Sequence, residues 1–271
     1  MAVAFRLYHS MNLLLFMHHC LALLLCLLSA INPLLAQSID SKVYVWKDAA
    51  VVKKPGTEQR KLVEGTATDF RHLEVHTTTL AAHQAPHPAH KHDDEELIII
   101  REGELTVTIA GKTKTLGPNS IALMMPGDEH GFENKGDVPA TYYVMRYESK
   151  EPVDLARGQK AGGSFWLDWN EVPFQPHDKG GVRRMFDRAT AMTKRFEMHV
   201  TTLKNGLSSH PPHTHRAAEI LIMVNNSAES SVNGKLYPNT LGDLTYLESN
   251  VPHNITNTTR KPCTYFAFQF E

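Results

Sequence analysis

Two copies of one pattern of histidine and glutamate are the residues of this sequence best suited to carry out chemistry. Each copy has a His-x-His pair, a Glu after three further residues, and a last His 34 residues beyond the Glu. Imidazole nitrogen combined with carboxylate oxygen suits Mn, Fe, Ni, Cu or Zn, whereas Ca and Mg prefer oxygen ligands. We therefore expect one divalent transition metal per copy. The predicted ligands are His90, His92, Glu96 and His130 in the first copy, and His213, His215, Glu219 and His253 in the second.

The number of ligands bears on what such a site could do. Four protein ligands on an octahedral Mn or Fe leave two positions open for water, dioxygen or a bidentate carboxylate. Four protein ligands on a tetrahedral Zn leave none. Mn and Fe are therefore favoured, while Ni, Cu and Zn stay open.

The two patterns belong to a repeat that runs through the chain at a constant offset of 123 residues. Trp46 aligns with Trp169, and the match continues without insertion or deletion to the last residue, Glu271. Similarity at a fixed period over this length indicates a duplicated domain. We predict one domain over residues 37–153 and a second over residues 154–271.

Short strands are the elements that must position these ligands. Residues 104–109 alternate polar and apolar side chains, Gly111 interrupts them, and residues 112–116 resume the pattern, which predicts a hairpin. The second half repeats this hairpin around Asn233 and Gly234. No long helical period occurs beyond residue 36, so the predicted fold class is all-β.

The ligand spacing fits such strands. Residues two apart on a strand point to the same face, so His90 and His92 can direct two imidazoles toward one point, and Glu96 shares their parity. His130 lies beyond the hairpin and must come from a neighbouring strand. His87 and His210 have the opposite parity, so we expect them to point away from the metals, where they would either support the ligands from behind or, as we favour, lie at the surface.

With these residues in view, the sequence resembles the cupin superfamily. Its first motif is His-x-His, three or four residues, Glu, six residues, Gly. Its second is Gly, five residues, Pro-x-Gly, two residues, His, three residues, Asn, from which the first half departs at Asn119 and Met125 and the second half at Glu248 and Asn250. The resemblance implies two tandem double-stranded β-helix (jelly-roll) cupin barrels, together called a bicupin. The first half matches at His90, His92, Glu96, Gly103, Gly127, His130 and Asn134. The second half matches at His213, His215, Glu219, Gly242, His253 and Asn257, with Asn226 in the place of the first motif's Gly.

The last strand of each half suggests what else faces a substrate. Phe266, Phe268 and Phe270 form one face of the final strand, so the other face, with Tyr265 and Gln269, is expected to look into the barrel. An Arg in such a position could hold a carboxylate or phosphate, whereas Gln269 suits a neutral group. The candidate substrate residues are Tyr142, Arg146, Tyr265 and Gln269.

The resemblance implies three readings of function. Exported bicupins with three His and one Glu per site resemble metal-dependent dioxygenases of the quercetinase type and oxalate decarboxylase-like enzymes that act on small oxygen-rich molecules. Cupin barrels also serve as non-catalytic modules that bind sugars or carboxylates in the periplasm. An (S)-ureidoglycine aminohydrolase-like enzyme or a sugar isomerase is less supported, because the Glu-x-His-x-x-x-His motif of the former is absent from both halves.

The balance of charged residues bears on which classes of partner the chain could bind. Twenty-eight Lys and Arg balance 29 Asp and Glu, for a formal net charge of −1, so the chain has no basic field to attract nucleic acid. A small-molecule substrate is expected instead. The chain is expected to be a monomer or a homodimer.

The first 36 residues read as a secretory signal peptide. Arg6 precedes a Leu-rich run, and Leu34, Leu35 and Ala36 resemble a cleavage site before Gln37. We expect a secreted or periplasmic protein with no stable membrane insertion after cleavage. Removal of the signal leaves Cys263 as the one cysteine and therefore no internal disulfide.

Cleavage after Ala36 can be tested on protein recovered from the exported fraction. The intact mass is expected to equal that of residues 37–271, because signal peptidase removes the apolar leader. A chain that keeps residues 1–36 and sediments with membranes would indicate a membrane anchor instead.

Overall fold

The computed structural model describes residues 37–271, so the predicted signal peptide lies outside the described residues. Within this part of the chain the fold is built from strands, and the predicted all-β class is confirmed. One short helix, α1 (Leu155–Lys160), lies in the connection between the halves. No helix among residues 37–271 has the length and apolar character needed to cross a bilayer.

The strands fall into two sets of ten that follow the repeat. The first set is β1 (Lys42–Tyr44), β2 (Val51–Lys54), β3 (Thr57–Gly65), β4 (Phe70–Leu80), β5 (Glu95–Glu102), β6 (Leu105–Ile109), β7 (Lys112–Leu116), β8 (Ile121–Met124), β9 (His130–Glu133) and β10 (Ala140–Ser149). The second set is β11 (Phe165–Leu167), β12 (Gln175–His177), β13 (Gly180–Arg188), β14 (Phe196–Leu203), β15 (Ala218–Asn225), β16 (Ala228–Val232), β17 (Lys235–Asn239), β18 (Leu244–Leu247), β19 (His253–Thr256) and β20 (Cys263–Phe270).

Each half forms a barrel from a large sheet and a small one. In the first barrel the seven-stranded sheet has the order β11-β8-β5-β10-β4-β3-β2, and the three-stranded sheet has the order β7-β6-β9. The second barrel repeats this as β1-β18-β15-β20-β14-β13-β12 and β17-β16-β19. This jelly-roll arrangement confirms the two predicted cupin barrels.

The two halves exchange their first strands. β1 pairs antiparallel with β18, so it completes the large sheet of the second barrel. β11 pairs in the same way with β8 and completes the large sheet of the first barrel. The boundary predicted between residues 153 and 154 falls between β10 and α1. It divides the two sequence repeats, but each large sheet contains one strand from the other side of this boundary.

The predicted hairpins form at the expected turns. Ala110 and Gly111 both have positive φ angles, 47° and 76°, between β6 and β7. Asn233 and Gly234 have φ angles of 50° and 76° between β16 and β17. Two consecutive left-handed residues match the twist of the flanking strands, which explains why Gly and Asn are suited to these positions.

The largest apolar core lies between the barrels. It joins residues from both large sheets, and Phe70 of the first half stacks on Phe270 of the second with ring centroids 4.7 Å apart. Phe266 and Phe268 belong to the same core. Burial of each such ring stabilises the fold by roughly 1.5–3 kcal/mol, so the halves gain much of their stability from each other. A smaller apolar cluster fills the interior of each barrel.

A buried carboxylate also joins the halves. Glu95 is fully buried at the start of β5 and accepts hydrogen bonds from the Tyr147 hydroxyl (2.6 Å) and from the backbone N–H of Ala191 (2.7 Å) and Met192 (3.2 Å). The residue 123 positions later, in the second repeat, is Ala218, so the second half has no equivalent carboxylate at this position. Burial raises the pKa of Glu95, and its position depends on these donors.

Replacement of Glu95 by Ala is expected to lower the free energy of unfolding by about 2–4 kcal/mol, because buried donors on Tyr147, Ala191 and Met192 lose their acceptor. Denaturant unfolding followed by circular dichroism measures this loss. Glu95→Gln keeps an acceptor oxygen and serves as the matched control, with less than half of that loss expected. Equal stability of Glu95→Ala and the wild type would contradict this role.

Candidate metal centres

The ligands of each centre come from three separate segments. His90 and His130 form an isolated antiparallel bridge with backbone hydrogen bonds of 2.9 and 2.8 Å in the two directions. His92 follows in an irregular segment, and Glu96 is the second residue of β5. The His-x-His pair therefore precedes a regular strand and does not lie within one, and the bridge to β9 holds it in place.

In the first barrel the four side chains converge on one point. His92 Nε2 lies 3.0 Å and His130 Nε2 lies 3.6 Å from Glu96 Oε2. The ring of His90 lies 4.8 Å from that of His130, measured between centroids. The nitrogens of the three histidines that could bind a metal all lie within 4.8 Å of one another.

The second barrel repeats this geometry closely. His253 Nε2 lies 3.0 Å and His215 Nε2 lies 3.4 Å from Glu219 Oε2. The centroids of His213 and His253 are 4.6 Å apart, and the two residues form the equivalent isolated bridge. The structure thus brings together all eight side chains predicted as ligands, four in each barrel.

Unpartnered nitrogens show that these side chains suit a metal ion. Among residues 37–271, His90 Nδ1, His130 Nε2 and His253 Nε2 are buried and make no well-aligned hydrogen bond, although His253 Nε2 lies 3.0 Å from Glu219 Oε2. Buried polar atoms are usually paired, so ring nitrogens without such a bond beside an ionised carboxylate fit a metal ion. His130 Nδ1 faces the Asp128 carbonyl at 2.9 Å and His253 Nδ1 faces the Val251 carbonyl at 2.8 Å, which turns each Nε2 toward the site.

The charges of the site also suit a cation. Burial would raise the pKa of Glu96 and of Glu219, but the neighbouring imidazoles lower each to about 2, so both carboxylates are ionised at neutral pH. Burial lowers the pKa of His90 and His213, which favours the neutral form that binds metals.

The two centres differ in the group behind the second histidine. In the first barrel His92 Nδ1 lies 2.6 Å from Asp94 Oδ1, and Arg146 binds the same carboxylate through Nε (2.7 Å) and Nη2 (2.9 Å). The backbone carbonyl two residues on is a partner in both barrels, since His92 Nδ1 lies 3.0 Å from the Asp94 carbonyl and His215 Nδ1 lies 2.8 Å from the Ala217 carbonyl. Among residues 37–271, the additional carboxylate contact is made in the first barrel and not in the second. Asp94 was not among the residues predicted from the sequence. Alignment of the two halves could have found it, because Asp94 and Arg146 align with Ala217 and Gln269, so both members of the pair differ between the halves.

A cavity of about 260 Å³ opens onto the first centre and one of about 250 Å³ onto the second. Tyr142 and Arg146 line the first cavity, and Tyr265 and Gln269 line the second. Asp94 occupies two nitrogens of Arg146, so the expected contact of Arg146 with a substrate anion stays a prediction, limited to the nitrogen that Asp94 leaves free. Gln269 Nε2 lies 3.4 Å from both His215 Nε2 and Glu219 Oε1.

The expected direction of His87 and His210, away from the centres, is wrong, although His87 is exposed as expected. The ring of His87 meets that of His90 at a centroid distance of 4.2 Å, and that of His210 meets His213 at 3.9 Å. Both residues line the cavities. Strand parity failed here because the segments that carry these histidines are irregular.

A third group of possible ligands, Glu64, His72 and Glu74, lies on β3 and β4. Its carboxylates already have partners, since Lys61 binds Glu64 and His76 Nδ1 lies 2.9 Å from Glu74. At the offset, Glu64 and His72 correspond to Asp187 and Arg195, which form an ion pair of 2.9 Å. We therefore interpret Glu64, His72 and Glu74 as part of an ion-pair network and not as a metal site.

Comparison with known proteins agrees with this architecture. A family model described as the cupin domain matches residues 76–146 and again residues 199–268. The chain belongs to the cupin family. No curated protein matches its sequence.

Solved structures share the fold of this cupin chain at low sequence identity. Oxalate decarboxylase from Lactobacillus farciminis, in a formate complex, has a TM-score of 0.68 at 14% identity and covers 88% of each chain. Ylba from E. coli has a TM-score of 0.67 at 14% identity, over 89% of this chain and 97% of its own. AerE from Microcystis aeruginosa has a TM-score of 0.63 at 16% identity, over 82% of this chain and 97% of its own. At these sequence identities, the similarity to the three structures shows a shared fold.

Metal content tests the two centres directly. The protein is expected to hold about one ion per barrel, and the double variant His92→Ala, His215→Ala is expected to hold almost none, because each centre loses a ligand. Elemental analysis after dialysis measures the content, and either single variant should keep one ion.

His83→Ala is the matched control, since His83 is exposed and pairs with Asp137, which belongs to neither centre. Metal bound equally by the double variant and by the wild type would rule out these centres.

Proposed function

We propose that this bicupin is an exported metal-dependent enzyme of the dioxygenase or decarboxylase type, acting on a small oxygen-rich organic molecule. The observation that carries the proposal is the convergence of three imidazoles and one carboxylate at a cavity in each barrel, with buried ring nitrogens left unpaired. When bound there, Mn or Fe supplies a Lewis acid with open positions for substrate oxygen.

The residues around each centre support work on a substrate. Burial raises the pKa of Tyr142 and of Tyr265 well above the ordinary value, so both phenols stay protonated at neutral pH. Each lines its cavity and can donate a hydrogen bond to a substrate oxygen. Phe132 and Val144 add an apolar wall in the first barrel, which helps to exclude water from a bound molecule.

The cavities limit the size of the substrate. A volume of about 250–260 Å³ is below the range of roughly 300–1,000 Å³ usual for drug-sized ligands, so a small molecule fits best. Polar groups that include Lys54 in the first cavity and Lys179 in the second favour a substrate with several oxygen atoms. The oxalate decarboxylase neighbour acts on a molecule of this kind, as its name states, which supports the same class here.

Turnover is tested by a screen of small carboxylic acids and phenols with protein loaded with Mn or Fe. We expect oxygen uptake or release of CO₂ with at least one compound, and a fall of at least a hundredfold in the double variant His92→Ala, His215→Ala, because the metal is lost. His83→Ala should keep full activity.

Saturable thermal stabilisation by a compound, with neither oxygen uptake nor product, would instead favour a binding module without turnover.

A further inference from the structure

The two barrels carry the same ligands but hold them differently. In the first barrel a continuous chain of contacts runs from Arg146 through Asp94 to His92. Asp94 is only 7% exposed, and the Arg146 guanidinium binds both of its oxygens, so the carboxylate has one stable position. That position places a negative charge 2.6 Å from the Nδ1 of a metal ligand.

The second barrel lacks every charged part of this chain. Ala217 stands at the position of Asp94 and offers its backbone carbonyl to His215, as Asp94 does to His92, but it has no carboxylate to add. Gln269 stands at the position of Arg146, and its neutral amide lies 3.4 Å from both His215 Nε2 and Glu219 Oε1. A carboxylate beside the Nδ1 of a ligating imidazole adds a charged contact to the carbonyl contact that both barrels share, which fixes the orientation of the ring and makes its other nitrogen a stronger donor.

We propose that Asp94, held by Arg146, is a positioning residue that makes the first barrel the tighter metal centre, so that the two barrels retain their ions unequally. The proposal rests on the metal centres of the proposed function. It concerns retention of the ion and does not depend on which substrate either barrel takes.

The effect on metal binding of losing the contact between Asp94 and His92 can be estimated. Removal of a hydrogen-bond partner behind a ligating histidine typically weakens metal binding by roughly 10–100-fold. The first barrel should therefore release its ion at least about tenfold more slowly than the second.

The comparison uses full chains that keep one centre each. His213→Ala leaves the first barrel intact, and His90→Ala leaves the second intact, without touching Asp94 or Arg146. Each protein is loaded with Mn²⁺, mixed with excess EDTA, and followed by the electron paramagnetic resonance signal of the Mn²⁺ that remains bound. We expect slow release from His213→Ala and fast release from His90→Ala.

Two exchanges of residues between the barrels test the cause. Asp94→Ala with Arg146→Gln gives the first barrel the residues of the second barrel at these two positions. This variant should release Mn²⁺ from the first barrel roughly 10–100-fold faster. Ala217→Asp with Gln269→Arg copies the first barrel into the second and should slow release there. A gain of retention in the second exchange cannot come from damage to the fold.

A matched control removes another ion pair that involves β10, the strand that carries Arg146. Arg71 and Glu148, on β4 and β10, form an exposed pair at 2.7 Å. Arg71→Gln with Glu148→Ala should leave release from both barrels unchanged. Should the first exchange prevent folding, judged by circular dichroism, Asp94→Asn keeps the shape without the charge and should still accelerate release.

The outcomes separate the two proposals. Equal release from the two barrels, or no effect of Asp94→Ala with Arg146→Gln in folded protein, would overturn unequal retention while leaving both metal centres in place. Absence of bound Mn²⁺ from both single-centre proteins would overturn the metal centres and this inference together.

Discussion

The short bridge between the His-x-His segment and the ninth strand of each half is the interaction on which the site depends. His90 pairs with His130 and His213 pairs with His253 through reciprocal backbone hydrogen bonds. These residues are 40 apart in sequence. Without the bridge, an irregular segment would have to hold its two imidazoles against a distant strand by side-chain contacts alone. With it, three imidazoles and a β5 or β15 carboxylate meet in the barrel.

The fold protects this arrangement by joining the two halves. The exchange of β1 and β11 gives each large sheet a strand from the other half, and the main apolar core lies between the sheets. Glu95 adds a buried polar link from β5 to the backbone at Ala191 and Met192. Because Glu95 precedes Glu96 directly, the same strand that contacts the opposite half also presents a predicted metal ligand. The position of the site and the packing of the halves are therefore coupled.

Duplication preserved the eight predicted ligands and allowed their surroundings to diverge. Tyr142 and Tyr265 remained equivalent, whereas Arg146 and Asp94 have Gln269 and Ala217 as counterparts. The paired change has a physical reason. A buried Asp94 without Arg146 would be an uncompensated charge beside the ionised Glu96, and an Arg without its Asp would add an unpaired cation near a metal centre. The two positions depend on each other, although they are 52 residues apart.

Much of this protein could be read from residue types and periods. Repetition at 123 residues identifies the duplication, and alternation from 104 to 116 identifies a hairpin. The spacing of His90, His92, Glu96 and His130 predicts a set of candidate metal ligands, because this signal too is local or strictly periodic. The tertiary structure alone decided the exchange of first strands, the contact of Asp94 with His92, and the turn of His87 toward His90. Strand parity does not apply in the irregular segments that carry these histidines. The remaining contacts arise only once strands distant in the chain have packed together.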